Sequence, residues 1–183
     1  MRNAVLALVG LALLPSPLAA GTLAGVTLPD TVTVGNQTLV LNGLGLRTKM
    51  FMKIYVGGLY VEKKSRDASA IIQADAAKRV VLQFIYGEVT RDEIVDSFAD
   101  GFKNNAPGVI QSQRDRFLGA VETMKRGEQL VVTYVPGVGT TLSLRGTDKL
   151  TVPGLAFAQA VFSVWLGPKP PTAELKTGML GSR

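Results

Sequence analysis

The chain contains no cysteine and no histidine. The first absence removes disulfides, thiol nucleophiles, thiolate metal sites and iron–sulfur clusters together. The second removes the commonest general base and the commonest ligand of transition metals, and with them Ser-His-Asp chemistry, zinc hydrolysis and haem ligation by histidine. Any chemistry must run on Arg, Lys, Tyr, Asp, Glu, hydroxyls or backbone, and no metal or other cofactor is expected. Charged residues are also sparse, at 19%, and no stretch supplies the roughly 20 consecutive apolar residues of a membrane-spanning helix. What is present is apolar material. Hydrophobic residues make up 46% of 183 positions and mean hydropathy is +0.24, the composition of one packed domain and not of a disordered segment.

Residues 1–20 read as a segment apart from that domain. Met1-Arg2-Asn3 is a short positive start, Ala4 to Leu14 is apolar, and Pro15 and Pro17 break the run before the small residues Ala19, Ala20 and Gly21. Charge, then apolar, then small is the order of a secretory signal peptide. The expected organisation is a leader over 1–20 and one domain over 21–183, with the product periplasmic or secreted. An exported chain without cysteine has little there to oxidise except methionine.

Net charge is +6, which points to an anionic partner. The densest clusters, Glu62 to Asp67 and Lys125 to Glu128, are mixed in sign and fall at turns, and no basic run is interleaved with aromatics as stacking readers of nucleic acid require. No nucleic-acid role is expected, and protein partners are left open by the sequence.

Periodicity then orders the domain. Val26 to Val34 and Gln37 to Asn42 flank Gly35-Asn36 as a hairpin. Met50 to Glu62 is a long β-forming run, in which Gly57-Gly58 marks a bulge or a close approach of another backbone or a ligand. Asp67 to Ala74 suits a short helix and Arg79 to Tyr86 a strand. Thr90-Arg91-Asp92-Glu93 is a capping-box sequence ahead of Ile94, Phe98 and Phe102, predicting a helix over 90–104, and Ser112 to Lys125 reads as a second amphipathic helix. Gln129 to Val135 and Thr140 to Arg145 form another hairpin, Leu150 to Val152 a short extended piece, and Pro153 to Leu166 an apolar helix. Strands followed by helices predict an α+β domain, an antiparallel sheet with helices on one face.

Few motifs carry chemistry. Gly43-Leu44-Gly45 has two glycines of a dinucleotide loop but neither the third nor a helix after it. Asp92, Glu93, Asp96 and Asp100 read as a solvated helix face near a favourable N-terminal dipole, and Asn36-Gln37-Thr38 is a sequon by composition alone.

Asn42-Gly43-Leu44-Gly45-Leu46-Arg47, followed by Lys53-Ile54-Tyr55-Val56-Gly57-Gly58-Leu59-Tyr60, resembles the Gly-x-Gly-x-Arg strand and the succeeding strand of chalcone isomerase and its relatives. Ala160 to Pro168, ending Trp165-Leu166-Gly167, resembles the closing helix of the bacterial chalcone isomerase-like proteins. The resemblance implies an open-faced β-sandwich in which a large antiparallel sheet and a helical layer enclose a ligand cleft.

It also implies roles. Arg47 matches the arginine that holds a phenolate in the isomerases and, with a tyrosine, a carboxylate in the fatty-acid-binding relatives. Tyr55 stands where the isomerase threonine stands, Thr90 where its tyrosine stands, and Ser97 where an asparagine lines the cleft; Val164 and Trp165 replace a polar residue and a small apolar one. The expected ligand-binding set is Arg47, Tyr55, Thr90, Ser97 and Val164, around a small amphipathic anion such as a fatty acid. A guanidinium at the floor of an apolar cleft suits that task through its planar fork of donors. The alternative is a cofactor-free intramolecular lyase acting on a phenolic enone, with Arg47, Tyr55 and Thr90 catalytic; a third is a non-catalytic envelope interaction protein. Thr90 also reads as a helix cap, and Trp165 as a packing residue.

Overall fold

The computed structural model describes residues 20–182; the expected leader lies outside that range except for Ala20. The elements run β1 (Ala20–Leu23), β2 (Val26–Pro29), β3 (Thr31–Val34), β4 (Gln37–Lys49), β5 (Met52–Val61), α1 (Ala68–Gln73), β6 (Lys78–Phe84), β7 (Glu88–Val89), α2 (Arg91–Asn105), α3 (Gln111–Gly119), β8 (Met124–Lys125), β9 (Gln129–Val135), β10 (Gly139–Leu144), β11 (Thr147–Val152), α4 (Leu155–Leu166) and α5 (Ala173–Met179). Seven strands form an antiparallel sheet in the order β11-β10-β9-β6-β5-β4-β3, so the expected α+β architecture is present. Two short antiparallel pairs, β1–β2 and β7–β8, complete the strand set among the described residues.

Alternation along β5 divides the interior into two layers. Tyr55, Leu59 and Val61 join Val80, Leu82 and Phe84 of β6 beneath the helices, in a core with Phe98 and Phe102 of α2, Phe117 of α3 and Phe157, Phe162 and Trp165 of α4. Val56 and Tyr60 point the other way, into a smaller core with Val26 and Leu28 of β2. The β1–β2 hairpin therefore covers part of the face opposite the helices, and the Tyr60 hydroxyl donates to the Pro29 carbonyl at 2.8 Å.

Four local expectations need correction. The helix read from Ser112 to Lys125 is only α3: it stops at Gly119, and Met124 and Val121 are buried from irregular chain and β8, since Met124 pairs with Val89. Apolar spacing alone cannot separate a helix face from a turn that buries the same side chains. Met50 and Phe51 are not strand but the two-residue turn between β4 and β5, with φ of +48° and +68°. Gly57-Gly58 is no bulge; a Cβ there would press on Leu175 and Met179 on one face and Leu28 on the other. Finally, α5 has no counterpart among the sequence expectations, although Thr172 caps it by accepting from the Leu175 N–H. The Gly35-Asn36 hairpin, the α2 capping box and the β9–β10 hairpin form as expected.

Candidate functional site

The segment from Asn42 to Arg47 is shaped by two interruptions of the β4–β5 ladder, one at Asn42 and one just past Arg47. Each adds an unpaired residue and re-aims the side chains beyond it. At the first, the Asn42 side chain is buried and fully used: its amide donates to the Ser65 and Met179 carbonyls, both at 2.9 Å, and its oxygen accepts from the Ser65 N–H at 2.8 Å. That staples the loop after β5 and the end of α5 to one strand.

Gly43 and Gly45, two residues apart and hence on one face, then leave room for α5. A Cβ on Gly45 would collide with the Leu175 carbonyl, and one on Gly43 with the Gly178 carbonyl and the Gly181 nitrogen; from the helix side, a Cβ on Gly178 would strike Leu44. Strand and helix thus meet backbone to backbone. Arg47, the next residue on that face, emerges beyond the end of the seam.

Arg47 pairs across the strands with Tyr55, and Tyr55 with Phe84 of β6. The Tyr55 and Phe84 rings are 5.6 Å apart. Above them, Trp165 of α4 stacks edge-on to Phe98 of α2, with ring centroids 5.5 Å apart. Tyr55 is 6% exposed and Trp165 only 1%. Burial raises the Tyr55 pKa above its ordinary value, against the Arg47 charge and the neighbouring Trp165 N–H, which both favour the phenolate. At neutral pH the hydroxyl therefore stays protonated and can donate, beside a cation.

Arg47 itself is half-buried. Arg79 and Arg114, the other half-buried arginines, have acceptors in Thr133 and Asp115. Among the described residues no ion pair includes Arg47. A partly desolvated guanidinium without a carboxylate is costly to keep, and an anionic ligand would relieve that cost.

The remaining expected residues divide. Thr90 is exposed and its hydroxyl is engaged at the start of α2, facing Glu93 Oε2 at 2.9 Å and the Glu93 N–H at 3.3 Å. The Thr90 backbone N–H, donating to Glu93 Oε2 at 2.9 Å, and then the Thr90 hydroxyl hold the Glu93 carboxyl below its usual range. Val164 is buried against Gly101 of α2, where a Cβ would strike it. Ser97 is half-buried on α2, one residue before Phe98. The structure thus assembles Arg47 and Tyr55 and sets Thr90 and Val164 to capping and helix packing. The sequence presents Trp165 as packing alone and does not single out Asn42, Phe84 or Phe98 as site residues; only the spacing of Phe98 hints at an inward face.

Two surface cavities, of about 260 and 440 Å³, lie between the helices around Ala106 and Val109, and neither is lined by Arg47 or Tyr55. Among the described residues no group of acidic side chains could hold a metal ion, and no helix is long and apolar enough to cross a membrane.

Comparison with known proteins decides the family. The family model described as chalcone isomerase-like matches residues 20–181. The chain belongs to the chalcone isomerase-like family. No curated protein matches it by sequence. Among solved structures, the fatty-acid binding protein of Arabidopsis thaliana superposes with a TM-score of 0.72 at 15% identity, over 88% of this chain and 96% of that one. At that identity the likeness establishes the shared fold. Within this chalcone isomerase-like chain the Gly-x-Gly-x-Arg segment has a physical sense: the glycines seat α5, and the arginine follows where the seam ends.

Proposed function

We propose that the protein binds an amphipathic carboxylate of the fatty-acid class, with Arg47 as the anchor and the Tyr55 hydroxyl as a second donor. The observation that carries this reading is the half-buried Arg47, without an ionic partner among the described residues, set directly across from a buried hydroxyl that stays protonated at neutral pH. A planar guanidinium and a phenol together offer a carboxylate the donors it needs. Phe84, Phe98 and Trp165 are all buried beside Tyr55, so an acyl chain would lie against them only by opening this aromatic cluster. Because Trp165 is almost fully buried, the tail must shift its indole to lie alongside Tyr55. The solved structure of similar fold is named as a fatty-acid binding protein, which supports the same reading.

Binding is favoured over ring closure of a phenolic enone because the Thr90 hydroxyl, the second member of the hydroxyl pair that the isomerase reading requires, is exposed and held by Glu93. The leader-like segment over residues 1–20 supports an exported product that meets its ligand outside the cytoplasm. The test is native mass spectrometry of protein recovered from the periplasm after expression with its leader, with organic extraction of whatever accompanies it, repeated on Arg47→Ala. A carboxylate lipid carried by the wild type and missing from a folded variant is the expected result. Wild-type protein that is empty and retains no added fatty acid would end the proposal.

A further inference from the structure

The tip of the β4–β5 hairpin is built against its own backbone preference. Lys49 pairs with Met52, leaving Met50 and Phe51 as a two-residue turn in which both residues have positive φ. That combination favours Asn-Gly or Asp-Gly and is uncommon for bulky side chains. Two other hairpins of the protein show the ordinary solution: Ala24-Gly25 and Arg145-Gly146 also take positive φ at both positions, and each places glycine second. Only the Met50-Phe51 turn has no glycine among these three.

The strain secures no packing within the chain. Phe51 is 104% exposed and Met50 80%, with Met52 partly exposed beside them. Backbone strain of this kind clusters at functional sites, so an outlier that secures no packing points to a functional reason. Lys49 and Lys53 flank the tip, exposed, and neither is in an ion pair among the described residues. Tyr86, also partly exposed, is fixed at the base of the hairpin by its N–H donating to the Ile54 carbonyl at 3.1 Å.

We infer that this hairpin tip is a docking element for an anionic lipid surface, Met50 and Phe51 entering the headgroup layer while Lys49 and Lys53 pair with phosphates above them. The apolar residues at the turn and the cations one step behind have the order of a membrane interface, where Phe inserts, Lys snorkels and Tyr sits at headgroup level. A protein partner is the weaker fit, because the three exposed apolar side chains of the tip, Met50 and Phe51 of the turn and Met52 beside it, fall well short of the ~800 Å² per partner of a standard interface. The inference goes beyond the ligand reading and does not depend on it, although Arg47 lies on the same hairpin three residues from Met50.

The test is co-sedimentation of the delipidated mature chain with phosphatidylglycerol–phosphatidylcholine vesicles, compared with pure phosphatidylcholine vesicles. The decisive variant is Met50→Asn with Phe51→Gly, which removes the apolar tip while installing the preferred turn, so its thermal midpoint should equal or exceed that of the wild type. Expected are binding to the anionic vesicles, at least tenfold weaker binding to neutral ones or in high salt, and at least tenfold weaker binding by the turn variant. Lys49→Glu with Lys53→Glu should lose the anionic preference. Wild type that leaves the vesicles unbound, or a turn variant that binds them equally well, overturns the inference. So does a wild type that avoids vesicles but self-associates in sedimentation velocity through the same tip.

Discussion

Replacing Gly45 by alanine tests whether α5 is seated on β4 by backbone contact. The added Cβ would collide with the Leu175 carbonyl oxygen and stand 2.7 Å from its carbonyl carbon and 2.8 Å from its Cα. Carbon pairs are comfortable at about 3.5–4.0 Å, so the helix must retreat by about 1 Å. No rotamer change relieves a clash between Cβ and main chain, and Leu175 and Met179, both fully buried, move with the helix. Overpacking of this kind costs about 1–3 kcal/mol; the upper half of that range applies here, lowering the thermal midpoint by roughly 4–12 °C in a domain of this size. The control is Gly119→Ala at the end of α3, where nothing lies within 4 Å of the added methyl and stability should hold or rise by up to about 1 kcal/mol. Urea and thermal unfolding of both variants, followed by circular dichroism, decide it. A Gly45→Ala protein within about 0.5 kcal/mol of the wild type would refute the seam, since surface substitutions away from special features fall in that range.

Two further predictions concern buried polar groups. The Lys78 ammonium is buried, donates to the Ile71, Ile72 and Ala74 carbonyls at 2.7–3.1 Å, and lies over the Tyr134 and Phe162 rings; burial pushes its pKa from 10.5 down to about 8, against the pull of Asp75. Between those two values the folded state binds fewer protons than the unfolded one, so stability should rise with pH from about 8 to about 9, by no more than about 1.4 kcal/mol per pH unit; nearer pH 10 the tyrosines Tyr55, Tyr60 and Tyr134, whose pKa burial raises in the fold, pull stability the other way. With no histidine or cysteine to confuse the lower window, a urea midpoint that stays flat or falls between about pH 8 and 9 would contradict the assignment, and Lys78→Met should remove the rise. The Thr140 hydroxyl is buried without a hydrogen-bond partner, so Thr140→Val should stabilise the protein by about 1 kcal/mol, a gain that thermal unfolding can resolve and whose reversal would mean that the hydroxyl has a partner.

The parts of this fold that could be read from sequence are those in which local signals agree. Thr90 and Glu93 form the box their spacing announces, and Gly35-Asn36 turns the chain where two apolar runs meet. The failures come where one local pattern serves two geometries. Val121 and Met124 are as buried as helix spacing requires, yet Met124 reaches the core from a strand. Met50-Phe51 carries none of the residues that normally announce a turn, because its chemistry answers to something other than backbone preference. The α5 helix is seven residues long and follows a proline-rich segment, so it lacks the length for a periodic pattern. Of the site, Arg47 and Tyr55 come from the resemblance to the chalcone isomerase family, and their pairing across β4 and β5 is seen only in the ladder. Phe84, Phe98 and Trp165 are not legible, since their convergence depends on how α2 and α4 lie over the sheet.

The central claim is that Arg47 anchors a carboxylate beside Trp165, and the single tryptophan of the chain reports on it directly. The measurement is a titration of the delipidated protein with a long-chain fatty acid, followed by Trp165 fluorescence, for the wild type and for Arg47→Gln, with the exposed Arg116→Gln as control. A charge-assisted hydrogen bond contributes about 1.5–3 kcal/mol, so the account predicts a saturable change in the wild type, the same affinity in Arg116→Gln, and roughly 10- to 100-fold weaker binding in Arg47→Gln. Equal affinity in all three proteins, or no change in Trp165 emission at saturating fatty acid, would contradict it.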